Sequence, residues 1–175
     1  ALPAQAAASC GDWSLRILHV NASDSHGGAA RAAYRIHRCL MDNGQGHAVQ
    51  SHMRAINKLS DDPSVIGGPP AGQSPLWRRL QPRLSYQARR GFSTANPTQH
   101  SIAWPATGLG RELQQRHRQG QTDLVHLHWL GDSTISIEEI GRLSVPLIWT
   151  LHDQWAFCGA EHYTSPPRAG ELTST

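Results

Sequence analysis

The sequence predicts an α/β domain with three layers and a mainly parallel sheet. Three observations predict it. Residues 123–163 hold two apolar runs of strand length, 124–130 and 146–151, separated by 135–143, where Ile137, Ile140 and Leu143 recur at helical spacing. A strand, helix, strand order is how parallel neighbours are joined. The run LRILHVN at 15–21 is nearly continuous in apolar residues, as a strand covered on both faces must be. Both later runs end in polar or aromatic residues, His126, His128 and Trp129 in one and His152-Asp153 in the other. Open α/β sheets bind ligands at such carboxyl ends.

The elements follow in order. Residues 1–9 (ALPAQAAAS) lack the basic and apolar segments of a signal peptide, and 1–14 read as a disordered tail. After the first strand a polar loop ends in Gly27-Gly28. The following helix places Ala29, Ala33, Ile36 and Leu40 on one face and Arg31, Arg35 and Arg38 largely on the other, with Gly44 as its stop. Residues 47–53 (HAVQSHM) predict a second strand centred on Ala48 and Val49. Stretch 60–75 is rich in Asp, Pro, Gly and Ser and predicts a loop. In 76–90, Leu76, Leu80, Leu84 and Tyr86 offer a face to the interior or to a membrane surface, and Pro82 is expected to interrupt any single helix. Residues 91–109 look irregular, so 60–110 reads as an insertion within a domain spanning 15–163. A short polar helix at 111–120 leads into 123, and 164–175 reads as a disordered or truncated end.

Composition narrows the function classes. Apolar content is low at 38%, but it is concentrated in a few runs, which lets a core form. A formal net charge of +3 is mild and gives no reason to expect a nucleic-acid partner. Three cysteines, Cys10, Cys39 and Cys158, without CxxC spacing, argue against a disulfide scaffold or a zinc ribbon and for a reducing, cytoplasmic location. No apolar run approaches the ~18–20 residues of a membrane span. The basic segment 76–90 has the pattern of a helix lying on anionic lipid, a peripheral membrane contact; a solvated helix face is the plainer reading.

Gly27-Gly28 lies between a strand end and a helix start, where backbone N–H groups and the helix dipole suit a phosphate. Neither GxGxxG nor GxxxxGK[ST] is present, and a tight turn needing positive φ is the alternative. His126 and His128 alternate, so they share a strand face. With His152 and Asp153 they would make a metal set, but this spacing matches no defined ligand pattern and no metal is expected. A core histidine is the plain reading of His126, whereas His128 and His152, at strand ends, are candidates for a pocket. Cys158 has His162 four residues on, yet a small buried cysteine is the plainer state. No GxSxG elbow occurs, and no serine can be assigned to a triad. Trp129, Trp149 and Trp155 cluster here; such aromatics stack on sugars or bases, though Trp149, inside a strand, reads as core.

Three segments together carry a resemblance: LRILHVNASDSHGGAARAAYRIHRCL, DLVHLHWLGDSTISIEEI and PLIWTLHDQWAFCGAEHY. From about residue 15 to 163 the chain resembles the N-terminal domain of family 4 glycosyltransferases, the retaining enzymes of GT-B fold, most closely those of colanic-acid and exopolysaccharide synthesis. The resemblance implies a Rossmann-like domain that forms the acceptor side of a cleft, opposite a second domain holding a nucleotide sugar. It implies hexose transfer to a glycan or lipid-linked acceptor, with no metal and no other cofactor. It places Gly27 and Gly28 near the donor diphosphate, and His128 as the catalytic histidine beside the transferring sugar. His152 and Asp153, with Trp129 and Trp155, fall on the acceptor side. The family's second domain, with its EX7E glutamate pair, has no counterpart before Thr175, so this chain alone is expected to be inactive. A non-catalytic carbohydrate-binding module and a phosphate- or nucleotide-binding α/β protein are the alternatives.

Overall fold

The computed structural model describes residues 14–43, 49–71, 73–91, 100–105, 107–131, 133–158 and 161–163. The tails, Cys10, Gly44, His47 and Ala48 lie outside them. In chain order the elements are β1 (Leu15–Ser23), α1 (Gly28–Asn43), β2 (Val49–Asn57), β3 (Val65–Ile66), α2 (Pro75–Gly91), α3 (Leu109–Arg118), β4 (Leu124–Leu127), α4 (Ile137–Gly141) and β5 (Leu147–Trp149). The five strands form one all-parallel sheet in the order β3-β2-β1-β4-β5, flanked by helices in a three-layer, Rossmann-like α/β fold. The chain steps outward from β1 to β3, then returns to the other side of β1 for β4 and β5. That reversal makes the β1/β4 boundary a topological switch point.

β1 is the central strand, buried from Ile17 to Ser23. Its alternation sorts the two faces. Leu18 and Val20 join Val125 and Leu127 of β4 and Leu109 and Leu113 of α3 in the main core. Each such side chain, fully buried, contributes about 1.5–3 kcal/mol. His19 points the other way, in register with His126 of β4, toward the α1 side. There Ala33 of α1 packs on Met53 and Ala55 of β2.

The structure departs from the sequence reading at several points. The buried stripe of α1 is Ala30, Ala33 and His37, while Ile36 is exposed. Small alanines let the helix lie close to the sheet, and His37 enters because the Ser51 and Ser64 hydroxyls pair with its two ring nitrogens. β2 continues to Asn57, with its buried centre at Met53, Arg54 and Ala55. Arg54 interrupts the apolar pattern but is paired: Nε and Nη2 donate to Glu112 of α3 at 2.9 and 3.1 Å. Stretch 60–75 contains β3, and α2 runs unbroken through Pro82. Proline removes one N–H and crowds the carbonyl four residues back; here both Arg78 and Pro82 are exposed, so water can replace the missing donor. Leu76, Leu80, Leu84 and Tyr86 are also exposed rather than turned inward. The helix is held instead through Ser85, which accepts from Trp104 Nε1 at 2.6 Å, and through the edge-on Trp77–Trp104 contact. α4 starts with a Ser136–Glu139 capping box, and Glu139 also accepts from the Thr107 and Gly108 N–H groups at the head of α3. Among the described residues no helix is long and apolar enough to cross a membrane.

Candidate functional site

At the switch point, chain segments beyond the regular strands stay together. Ala22 N–H donates to Trp129 O at 3.0 Å, and Trp129 N–H to Asn21 Oδ1 at 2.8 Å. A crevice of about 600 Å³ opens here, walled by Asn21, Ser23, Gly27, Gly28, Trp129 and His152, with His26 and Tyr163 beside them. Gly27 has φ +91°, a conformation that asks for glycine. Gly28 has no such need, and a Cβ on either glycine would meet nothing within 4 Å. The head of α1, where N–H groups lack intrahelical partners, therefore opens into the crevice. Asp24 turns away and receives the Leu59 and Ser60 N–H groups, each at 2.9 Å. Burial pushes its pKa up, but the Ser60 hydroxyl and these N–H groups outweigh it and hold the carboxyl below its usual value.

Behind the crevice wall lies a row of imidazoles. His152 Nε2 meets His128 Nδ1 at 3.2 Å, and His128 Nε2 meets His19 Nδ1 at 3.1 Å. His126 lies against His128, ring centroids 4.1 Å apart, with its Nε2 on Thr150 Oγ1 at 2.8 Å. Burial, reinforced by the neighbouring imidazoles, takes His19 and His128 down to about 3. Burial also lowers His126, with His152 adding to it, and lowers His152 against the opposing pull of Asp153. The row is thus neutral at neutral pH. His128, the expected catalytic residue, is 1% exposed and stands behind His152, which lies on the wall.

Asp153 is committed to the protein. Its Oδ2 accepts from Trp129 Nε1 at 2.6 Å and from His162 Nδ1 at 2.5 Å, and its Oδ1 from Trp155 N–H at 3.1 Å. It thereby fixes the Trp129 ring, which stacks on His162. His162 Nε2 meets Ser101 Oγ at 2.6 Å, completing a Ser–His–Asp order. In a hydrolase the serine must reach a substrate carbonyl. Ser101 is 3% exposed, so this trio is a clasp that ties residues 100–105 to the strand ends. His162 is engaged in that clasp, and half-buried Cys158 contacts Gln154, so the two form no nucleophile pair. Trp155 is a core residue, 5% exposed, with Nε1 donating to Ser101 O. Trp149 packs on the core as expected, its Nε1 on His128 O at 3.0 Å.

The structure therefore brings Gly27, Gly28, Trp129 and His152 to one wall, places His128 and Asp153 as supports, and leaves Trp155 out. Sequence reasoning missed Asn21, His26 and Tyr163 on the wall and His19 and Ser101 behind it. Position supplied one signal: Asn21 and His26 flank the end of the first strand. His19, in mid-strand, reads like any buried residue. No protein-family model, curated protein or solved structure matches this chain.

Proposed function

We propose that this chain is the acceptor-side half of a family 4 glycosyltransferase which, paired with a domain holding a nucleotide sugar, supports hexose transfer to a glycan or lipid-linked acceptor. The observation that carries the reading is Gly28. Neither its backbone conformation nor its neighbours require glycine, and what its missing side chain leaves open is the crevice that Trp129 and His152 also face. The head of α1 then supports the donor diphosphate through N–H groups and helix dipole. Trp129, pinned by Asp153, offers a rigid aromatic wall to a sugar. His152 has its Nε2 taken by His128, so Nδ1 is left for an acceptor hydroxyl. In this reading His128 positions His152, and the protein's contribution is orientation and stabilisation of leaving-group charge.

The test is sugar transfer by this chain together with a supplied nucleotide-sugar-binding domain, using folded protein. Transfer is expected from the pair, with His152→Ala lowering it by about 100-fold. Absence of transfer from the folded pair with every nucleotide sugar tried overturns the reading. A phosphate- or nucleotide-binding protein is the second reading, also favoured by the open position of Gly28. It requires the chain alone to bind a nucleotide, Gly28→Val to abolish that binding, and His152→Ala to leave it unchanged.

A further inference from the structure

The imidazole row carries more than the crevice wall requires. His19, His126 and His128 each offer one ring nitrogen, and these three atoms lie within 4.8 Å of one another. They come from neighbouring strands in fixed register, His19 opposite His126, so the backbone sets their approach. Hydrogen bonding inside the protein does not account for the arrangement. One proton can bridge His19 and His128, and whichever tautomer supplies it, His19 Nε2 remains buried without a hydrogen-bond partner. Such an orphan costs about 1–3 kcal/mol. From the convergence of three imidazole nitrogens around a buried, unsatisfied histidine, we propose that His19, His126 and His128 form a binding site for a divalent cation of the zinc class.

The chemistry fits. Imidazoles suit zinc, copper and nickel rather than magnesium or calcium. Burial keeps all three rings neutral, the form that ligates. In a tetrahedral zinc site ligand nitrogens stand about 3.3 Å apart; the three here all lie within 4.8 Å of one another, so the rings need only draw together. Outer partners that orient ligands are already present for two rings, Thr150 on His126 Nε2 and His152 on His128 Nδ1. Three protein ligands leave a fourth position for water or a small anion. This set differs from the one the sequence suggested, since Asp153 is held by Trp129 and His162. It stands independently of the transfer reading.

The experiment uses the full chain, stripped by chelator and checked for fold by circular dichroism. Zinc and cobalt(II) salts are the probes. One equivalent of zinc should bind and raise Tm, and cobalt should give the intense visible absorption of a tetrahedral site. His126→Ala, at the half-buried corner of the cluster, should remove both signals. Thr150→Val should weaken zinc binding by about 10-fold through loss of ligand orientation. His152→Ala should leave the cobalt spectrum tetrahedral. Folded wild-type protein that binds no zinc overturns the proposal, as does zinc binding of unchanged affinity in His126→Ala.

Discussion

Two regions bury histidines on the same side of the sheet, and they do it differently. On the β2 flank, His37 Nε2–H donates to Ser64 Oγ at 2.9 Å, Ser64 in turn donates to Asp62, and His37 Nδ1 accepts from the Ser51 hydroxyl at 2.8 Å. Every ring nitrogen has a hydroxyl, and the arrangement is complete without a ligand. On the β4 flank, imidazoles face imidazoles, His19 keeps an orphan nitrogen, and the row ends at the crevice through His152. Burial alone therefore does not separate scaffold from site. What separates them is whether the protein itself satisfies the polar atoms it buries.

The largest effect that tests this contrast is common to both regions. His19, His37 and His128 have folded pKa values of about 3, 4 and 3, in each case with burial as the leading cause. Unfolded, each titrates near 6.5. Above that value neither state binds the protons and stability is full. As pH falls below it the unfolded chain gains protons that the folded one refuses, and stability is lost down to the folded values. Each histidine contributes a slope of about 1.4 kcal/mol per pH unit, so the three together give about 4 kcal/mol per unit. A domain with about 5–10 kcal/mol of stability should unfold between about pH 5 and pH 4. Circular dichroism against pH checks it; native signal retained at pH 3 would mean that the folded row accepts protons, and the neutral-row description would fail.

A smaller effect separates the two regions from each other. His37→Leu strands the Ser51 hydroxyl and should cost about 1–3 kcal/mol. His19→Leu removes an orphan nitrogen while leaving His128 Nε2 unpaired, so its two consequences largely cancel and the change should be within about 1 kcal/mol. Urea denaturation of both variants at pH 8 reads the difference. Equal losses would break the contrast and make both histidines scaffold.

The same distinction explains what was legible in the sequence. β1 and β4 announced themselves as apolar runs because their partners are chiefly apolar and any nearby apolar face suffices; β5 did so too, although Leu147 and Ile148 lie exposed at the sheet edge. His152, Trp129 and Gly28 were visible because strand ends and helix heads are read from local order. The remainder depends on distant partners. Arg54 hides in β2 only because Glu112, 58 residues later, receives it. The α1 stripe falls on Ala30 and His37 because Ser51 and Ser64 are placed across from it. Ser101 reaches His162 across 61 residues with no motif to mark either. β3 spans two residues, too short for any period to register. Burial of Trp155 rather than exposure at the wall follows from its N–H finding Ser101 O, which no local pattern encodes.

The smallest test applies the contrast to two adjacent glycines. Gly27 answers an internal demand: at φ +91° an alanine is strained, and Gly27→Ala should cost about 1–2 kcal/mol. Gly28 answers none, since a methyl group there meets no protein atom. Gly28→Ala should stabilise the fold by about 0.5 kcal/mol, through reduced freedom of the unfolded chain. Because that methyl would stand in the crevice, affinity for a nucleotide sugar should fall, measured by calorimetry on the chain paired with its nucleotide-sugar-binding domain. A gain in stability with loss of binding would mark Gly28 as a residue kept small for a ligand. A loss of stability equal to that of Gly27→Ala would return it to the scaffold, and the crevice would lose the observation on which its functional reading stands.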